Sequence, residues 1–190
     1  MYDFDNPRSP DYWENCTTPD VATRRLKKLD EICGEYSLTH LQQKIREKSA
    51  RILEVWCWNW IFLDTLLEAW FTNVRWIDMF PRHDFRRKDL EDIVKRDCLQ
   101  FPRWPIKKEE KFDVVCSHLV FDESVYRDQQ HSWFRDAMFE GIYNFLSHSW
   151  LYFASERHDR DKLITSINKV MHRWNTYLWE YWWVFFPAKI

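Results

Sequence analysis

Glycine is nearly missing from this chain. An ordinary domain carries roughly 7% glycine, about 13 residues at this length; here 190 residues include 2, Gly34 and Gly141. No G-x-x-x-x-G-K, G-x-S-x-G or H-E-x-x-H is present, which gives no support to a P-loop, hydrolase or zincin reading. The 5 cysteines, Cys16, Cys33, Cys57, Cys98 and Cys116, are odd in number and scattered, with no C-x-x-C. That argues against a disulfide framework or a zinc knuckle and for a reducing, cytoplasmic setting. The seven histidines show no metal-ligand spacing, so no metal is expected. No hydrophobic run reaches the roughly 20 residues of a membrane span. The greasiest stretches, 55–67 and 177–186, are interrupted by Asn59 and Asp64, or by Glu180. Residues 1–20 are polar and carry acids and prolines, unlike a secretory leader. Net charge is −2, so no polyanion-binding surface is implied, and the short basic run Arg82–Lys88 reads as a solvated loop rather than a nucleic-acid patch.

Tryptophan is in excess, with 13 copies. The coarse pattern of elements shows where they fall. Asp20 is expected to cap a helix over Val21–Cys33, with Gly34 at its end, and a second helix covers Leu38–Lys48. Strands are expected at Arg51–Val55, Val74–Asp78, Asp92–Lys95, Phe112–Ser117 and Leu151–Ser155, with helices at Ile61–Ala69, Phe134–Leu146 and Arg160–Arg173. Two last strands, Thr176–Tyr181 and Val184–Lys189, read as a hairpin across Trp182-Trp183. Alternating strands and helices imply a single α/β domain over 1–190. Its doubly wound, mostly parallel, Rossmann-like sheet has seven strands and a closing antiparallel hairpin, and 1–49 form a lead with two helices before the core at 50–190.

On this map the tryptophans sit where a backbone bends. Trp56, Trp58 and Trp60 follow the first strand directly. Trp70 and Trp174 stand at helix ends, Trp150 in a turn, and Trp182-Trp183 in the hairpin turn. Such places favour glycine, because only glycine takes positive φ without steric penalty. A packed core or stacking face would instead follow a period of 2 or 3.6. The reading adopted is that most of these tryptophans stand at glycine positions, as results when UGA codons read as glycine in one lineage are translated as tryptophan. Trp13 and Trp179 lie in contexts where tryptophan is ordinary.

With glycine restored, Leu53–Trp60 (LEVWCWNW) becomes LEVGCGNG, which resembles the first motif of class I S-adenosylmethionine-dependent methyltransferases. The turn positions are spaced two and two, whereas dinucleotide enzymes use two then three. That spacing and the final hairpin speak against an NAD or nucleotide-sugar enzyme. The resemblance continues through RILEVWCWNWIFLDTLLEAWFTNVRWIDMFP, VKRDCLQFP, FDVVCSHLVFDESVY and SWLYFASER. It implies S-adenosyl-L-methionine as cofactor, bound by the loop of Trp56, Cys57, Trp58 and Trp60, with Glu54 orienting that loop or the cofactor ammonium. It also implies that Asp78, 22 residues after Trp56, accepts from the ribose hydroxyls beside Met79. Asp97 meets the adenine amino group, Cys98 and Leu99 line the ring, and Ser117 leaves its strand at the carboxyl edge, where open α/β sheets bind ligands. His118, Asp122 and Tyr126, with Glu123 and Glu156 nearby, are candidates for the acceptor side, and no base is assigned. The helices of 21–48 and the segment 118–133 are expected to form a lid.

In this family the sulfonium already activates the methyl group, so the protein's tasks are alignment and exclusion of water. The acceptor is expected to be a small molecule. Oligomeric state is unspecified. The alternative is a catalytically silent, methyltransferase-like partner subunit. Three indoles at 56, 58 and 60 are expected to obstruct the cofactor cleft of the chain as written.

Overall fold

The structure, a computed structural model, describes residues 18–55, 61–77, 110–118, 132–155, 164, 165, 168, 174–179 and 182–187. Helix α1 spans Pro19–Glu35 and α2 Thr39–Arg46. Strand β1 (Ile52–Val55) leads to α3 (Ile61–Glu68) and β2 (Val74–Ile77). Then come β3 (Phe112–His118), α4 (Ser132–Phe145), β4 (Leu146–Ser155), β5 (Trp174–Trp179) and β6 (Trp182–Pro187).

The cap of α1 is Thr18, not Asp20. The Thr18 hydroxyl accepts from the Val21 N–H at 3.4 Å, and Pro19 takes the first helical position, where an N–H is not needed. Asp20 falls in the first turn, where its charge complements the helix dipole. The helix also runs past Gly34. Its left-handed terminal residue is Ser37 (φ 57°), closed by Ser37 N–H to Gly34 O at 3.2 Å and Leu38 N–H to Cys33 O at 2.8 Å. Gly34 serves close packing instead. A Cβ there would meet Gln42 Nε2 at 2.9 Å, and that nitrogen donates to Asp30 O at 3.1 Å across the α1–α2 turn.

The strands form one sheet in the order β2-β1-β3-β4-β6-β5. β1 runs parallel to β2 and β3, and β3 to β4, while β6 is antiparallel to both β4 and β5. The described sheet has six of the seven expected strands; the other, expected at 92–95, lies outside the described residues. Short βα connections favour this parallel arrangement, and each β1 residue is buried, as a strand covered on both faces must be. One face packs Ile52, Val114, Cys116, Leu151 and Phe153 against Ala22, Leu29 and Ile32 of α1, Leu41 and Ile45 of α2, and Phe62, Leu63 and Leu66 of α3. The other face carries α4, with Phe139 edge-on to Tyr152 at 6.1 Å. The two N-terminal helices are thus a structural layer of the core, not the lid expected of 21–48. Their apolar stripes cover the sheet and α3.

Several tryptophan assignments change. Trp150 is 8% exposed and lies within β4, because that strand begins at Leu146 rather than Leu151. The ladder slips there: Phe112 pairs with Leu146, yet Val114 pairs with Leu151. Trp174 opens β5 opposite Pro187 instead of ending a helix. Trp182 and Trp183 are paired strand residues, opposite Trp179 and Leu178, rather than the bend between the strands; 180–181 lie outside the described residues. Trp76 sits in β2, 7% exposed and opposite Glu54. None of these has positive φ.

Trp70 does. Its φ is 69°. Trp70 N–H bonds Leu67 O at 3.0 Å and Phe71 N–H bonds Leu66 O at 3.1 Å, the paired bonds that close a helix through a left-handed residue. Phe71 is buried against the core, as this motif requires, while the Trp70 indole is 82% exposed. A large side chain here occupies the one position of α3 where glycine is most favoured.

Candidate functional site

Strand order reverses at β1. The chain leaves β1 for β2 on one side and returns to β3 on the other. In open α/β sheets the loops beyond the carboxyl ends diverge at such a point and leave a crevice that takes ligands. The register aligns Ile77, Val55, Ser117 and Ala154 in one row across β2, β1, β3 and β4. Trp56 and Asp78 follow the row directly in the chain, and His118 is the last residue of β3. Trp56, Cys57, Trp58, Trp60, Asp78, Met79, Asp97, Cys98, Leu99, Asp122, Glu123, Tyr126 and Glu156 lie outside the described residues. Of the residues singled out by sequence, the structure places Glu54 and Ser117, together with the backbone of His118.

Glu54 and Ser117 come to the same edge but point to opposite faces, because Ser117 is in register with Val55, the neighbour of Glu54. Ser117 is fully buried, and its Oγ lies 2.8 Å from the Tyr152 hydroxyl. Its side chain thus bonds within the core, while its backbone remains in the edge row. Glu54 is 2% exposed and faces the N-terminal helices. There the Arg25 Nη1 donates to its Oε1 at 3.1 Å. The Arg25 guanidinium carbon also stands 3.9 Å from the centroid of Phe62, in the first turn of α3. Two buried charges are tolerated when paired, and the ring face adds to the cation's stabilisation.

Sequence reasoning missed Arg25. A signal was present. Ala22, Arg25, Leu29, Ile32 and Cys33 are the buried residues of α1, so the arginine falls on the apolar stripe of its helix. A cation in that stripe needs a partner in the core, and Glu54 is the strand carboxylate able to provide one.

The pair also shapes its surroundings. Burial pushes the Cys116 thiol far up, the Glu54 charge adds to this, and Arg25 partly offsets it. Cys116, opposite Glu54 in the ladder, stays a neutral thiol with its Sγ 3.5 Å from Leu53 O. Cys33 is likewise pushed up to about 12, by burial first and the nearby Asp30 charge second. Neither is suited to act as a nucleophile.

At the other end of the sheet, Asp113 gathers the amino edge. It accepts from Lys44 Nζ at 2.7 Å, from the Arg51 N–H at 2.9 Å and from Ser147 Oγ at 3.4 Å. Polar staples close the amino edge, and the strand reversal opens the carboxyl edge.

The molecule is therefore an α/β protein whose mostly parallel sheet is of the Rossmann-like kind. Its fold is similar to that of Streptomyces venezuelae DesVI, at 11% identity over 94% of this chain and 96% of that one, with a TM-score of 0.57. It also aligns with a TehB-like SAM-dependent methyltransferase from Corynebacterium glutamicum, at 14% identity over 90% of this chain and all (100%) of that one, TM-score 0.49. A third alignment is with the magnesium protoporphyrin IX methyltransferase ChlM from Synechocystis, solved with bound SAM, at 11% identity over 96% of this chain and 92% of that one, TM-score 0.47. At 11% identity the likeness to DesVI speaks for the fold alone. No family model and no curated protein matches the sequence.

Proposed function

We propose that the chain is a single-domain S-adenosylmethionine-dependent methyltransferase acting on a small molecule. The observation that carries the reading is the placement of LEVWCWNW. Its first three residues are β1 at the strand reversal, and its remainder begins where an open α/β sheet receives a ligand. The next strand ends in the same row, so Asp78 follows it at the position expected to receive a ribose. Glu54, one residue before the end of β1, is held in the core by its buried bond to Arg25.

S-adenosylmethionine supplies an activated methyl group when bound. The chain's part is to hold the donor through the 56–60 and 78–79 segments, to exclude water, and to align an acceptor entering past the end of β3.

The same reading assigns glycine to positions 56, 58, 60 and 70 of the functional chain. The backbone at Trp70 supports it, because that residue already adopts a glycine conformation. The codons test this directly: UGA at these positions agrees with the assignment, and UGG removes it. Calorimetric titration of S-adenosylmethionine into the chain as written, and into the same chain carrying W56G, W58G and W60G, tests the function. Binding by the substituted chain and little by the other is expected. Absence of binding by both ends the methyltransferase reading.

A further inference from the structure

Ser117 and Tyr152 are both fully buried, and their hydroxyls share a hydrogen bond at 2.8 Å. The bond is diagonal. Tyr152 is the ladder partner of Val115, two residues before Ser117, so the phenol reaches along the sheet to meet the serine at the carboxyl edge. Phe139 of α4 holds the ring from outside, edge-on at 6.1 Å. A hydroxyl pair is not the simplest filling for this spot. Losing one partner leaves the other hydroxyl buried and unsatisfied, whereas alanine and phenylalanine together would fill nearly the same space with little loss. Stability alone gives no reason for the pair.

The ladder shows what the pair holds. Ser117 is the last residue of β3 in register with β1, opposite Val55. On its other side β3 continues one residue further, with His118 opposite Ser155. Ser117 is therefore the point at which β3 parts from β1, where the strand reversal opens the crevice. The two ladders fix its backbone within the sheet. The Tyr152 hydroxyl fixes its side chain from the α4 face.

We infer that Tyr152 is a positioning residue for the crevice: through Ser117 it sets the direction in which β3 leaves the sheet. Tyr152 is itself sealed in the core, so it acts only through the serine. This brings β4 and the α4 layer into the making of the site. The identity of the ligand rests on the methyltransferase reading above.

The test uses the full chain carrying W56G, W58G and W60G as parent. S-adenosylhomocysteine is titrated by calorimetry at a temperature where circular dichroism shows every variant folded. Y152F and S117A each leave one buried hydroxyl without the other, and each is expected to lower the denaturant midpoint. The double variant Y152F/S117A leaves neither, and is expected to recover most of that midpoint. Affinity is expected to behave otherwise. All three variants bind about 3- to 10-fold more weakly than the parent, and the double is no worse than either single, because the same bond is lost in each. D113N breaks the staple at the amino edge and serves as a destabilised control that binds like the parent.

Affinity that returns with stability in the double variant makes the pair purely structural and overturns the inference. Losses that add in the double variant also overturn it, because Tyr152 and Ser117 would then act separately. An equal loss in D113N does the same, since affinity would merely follow stability. If the parent binds S-adenosylhomocysteine and Y152F binds it equally well, the positioning role falls while the methyltransferase reading stands. If the parent does not bind, that reading fails and takes this role with it.

Discussion

Trp70 holds a backbone conformation that disfavours any residue with a Cβ by about 1–2 kcal/mol. W70G is therefore expected to raise stability by about that amount in urea denaturation. W70A keeps the Cβ and the penalty, and is expected to gain nothing. A gain from both would point to the exposed indole rather than to the backbone. Cys33 gives a second prediction at this scale. Its thiol ionises near 12 in the fold against an ordinary 9.0. Below pH 9 both folded and unfolded states hold the proton, and stability is unaffected. Between 9 and 12 only the unfolded thiol ionises, so stability falls with rising pH, by about 1.4 kcal/mol per unit for this group. C33A is expected to flatten the alkaline limb by that slope. Site-resolved alkylation at pH 8 is expected to spare Cys33 and Cys116 until denaturant is added.

Among the elements, the Asp113 staple joins the start of β3 to α2, to the residue before β1 and to β4. D113N is expected to lower stability by about 1–3 kcal/mol, measured by denaturant midpoint. Its effect on S-adenosylmethionine affinity should be negligible, since the staple lies at the amino edge. The parallel strands and their helices were legible because apolar runs and helical periods are local signals. Ile52–Val55 and Val74–Ile77 are continuous or nearly so, and Phe62, Leu63 and Leu66 repeat at helical spacing. Two features were not legible, for different reasons. The start of β4 was hidden because Ser147, His148 and Ser149 look like a turn, while the ladder absorbs them in a register slip. The strand pairing of Trp182-Trp183 was hidden because two residues between apolar runs suggest a bend, whereas these β-forming aromatics belong to the strand. The site was legible only as far as motifs reach. Glu54 stands out in a strand, but its partner on α1 is 29 residues away and belongs to no motif.

Taken whole, the molecule has a sheet with a helical layer on each face, and the N-terminal helices form one of those layers. Deleting residues 1–49 removes Leu29, Ile32, Leu41 and Ile45 from the core and leaves Glu54 buried without its cation. The expected outcome is loss of a cooperative thermal transition by circular dichroism, not merely a weakened site; a truncated chain that melts cooperatively would show 50–190 to be self-sufficient. The ion pair also sets an order of events. During synthesis Arg25 leaves the ribosome 29 residues before Glu54. Until that carboxylate emerges the guanidinium stays in water, and α1 cannot settle its greasy side in final position. α1 must therefore wait for β1, and the nascent chain completes its interior only when the crevice edge is already being built.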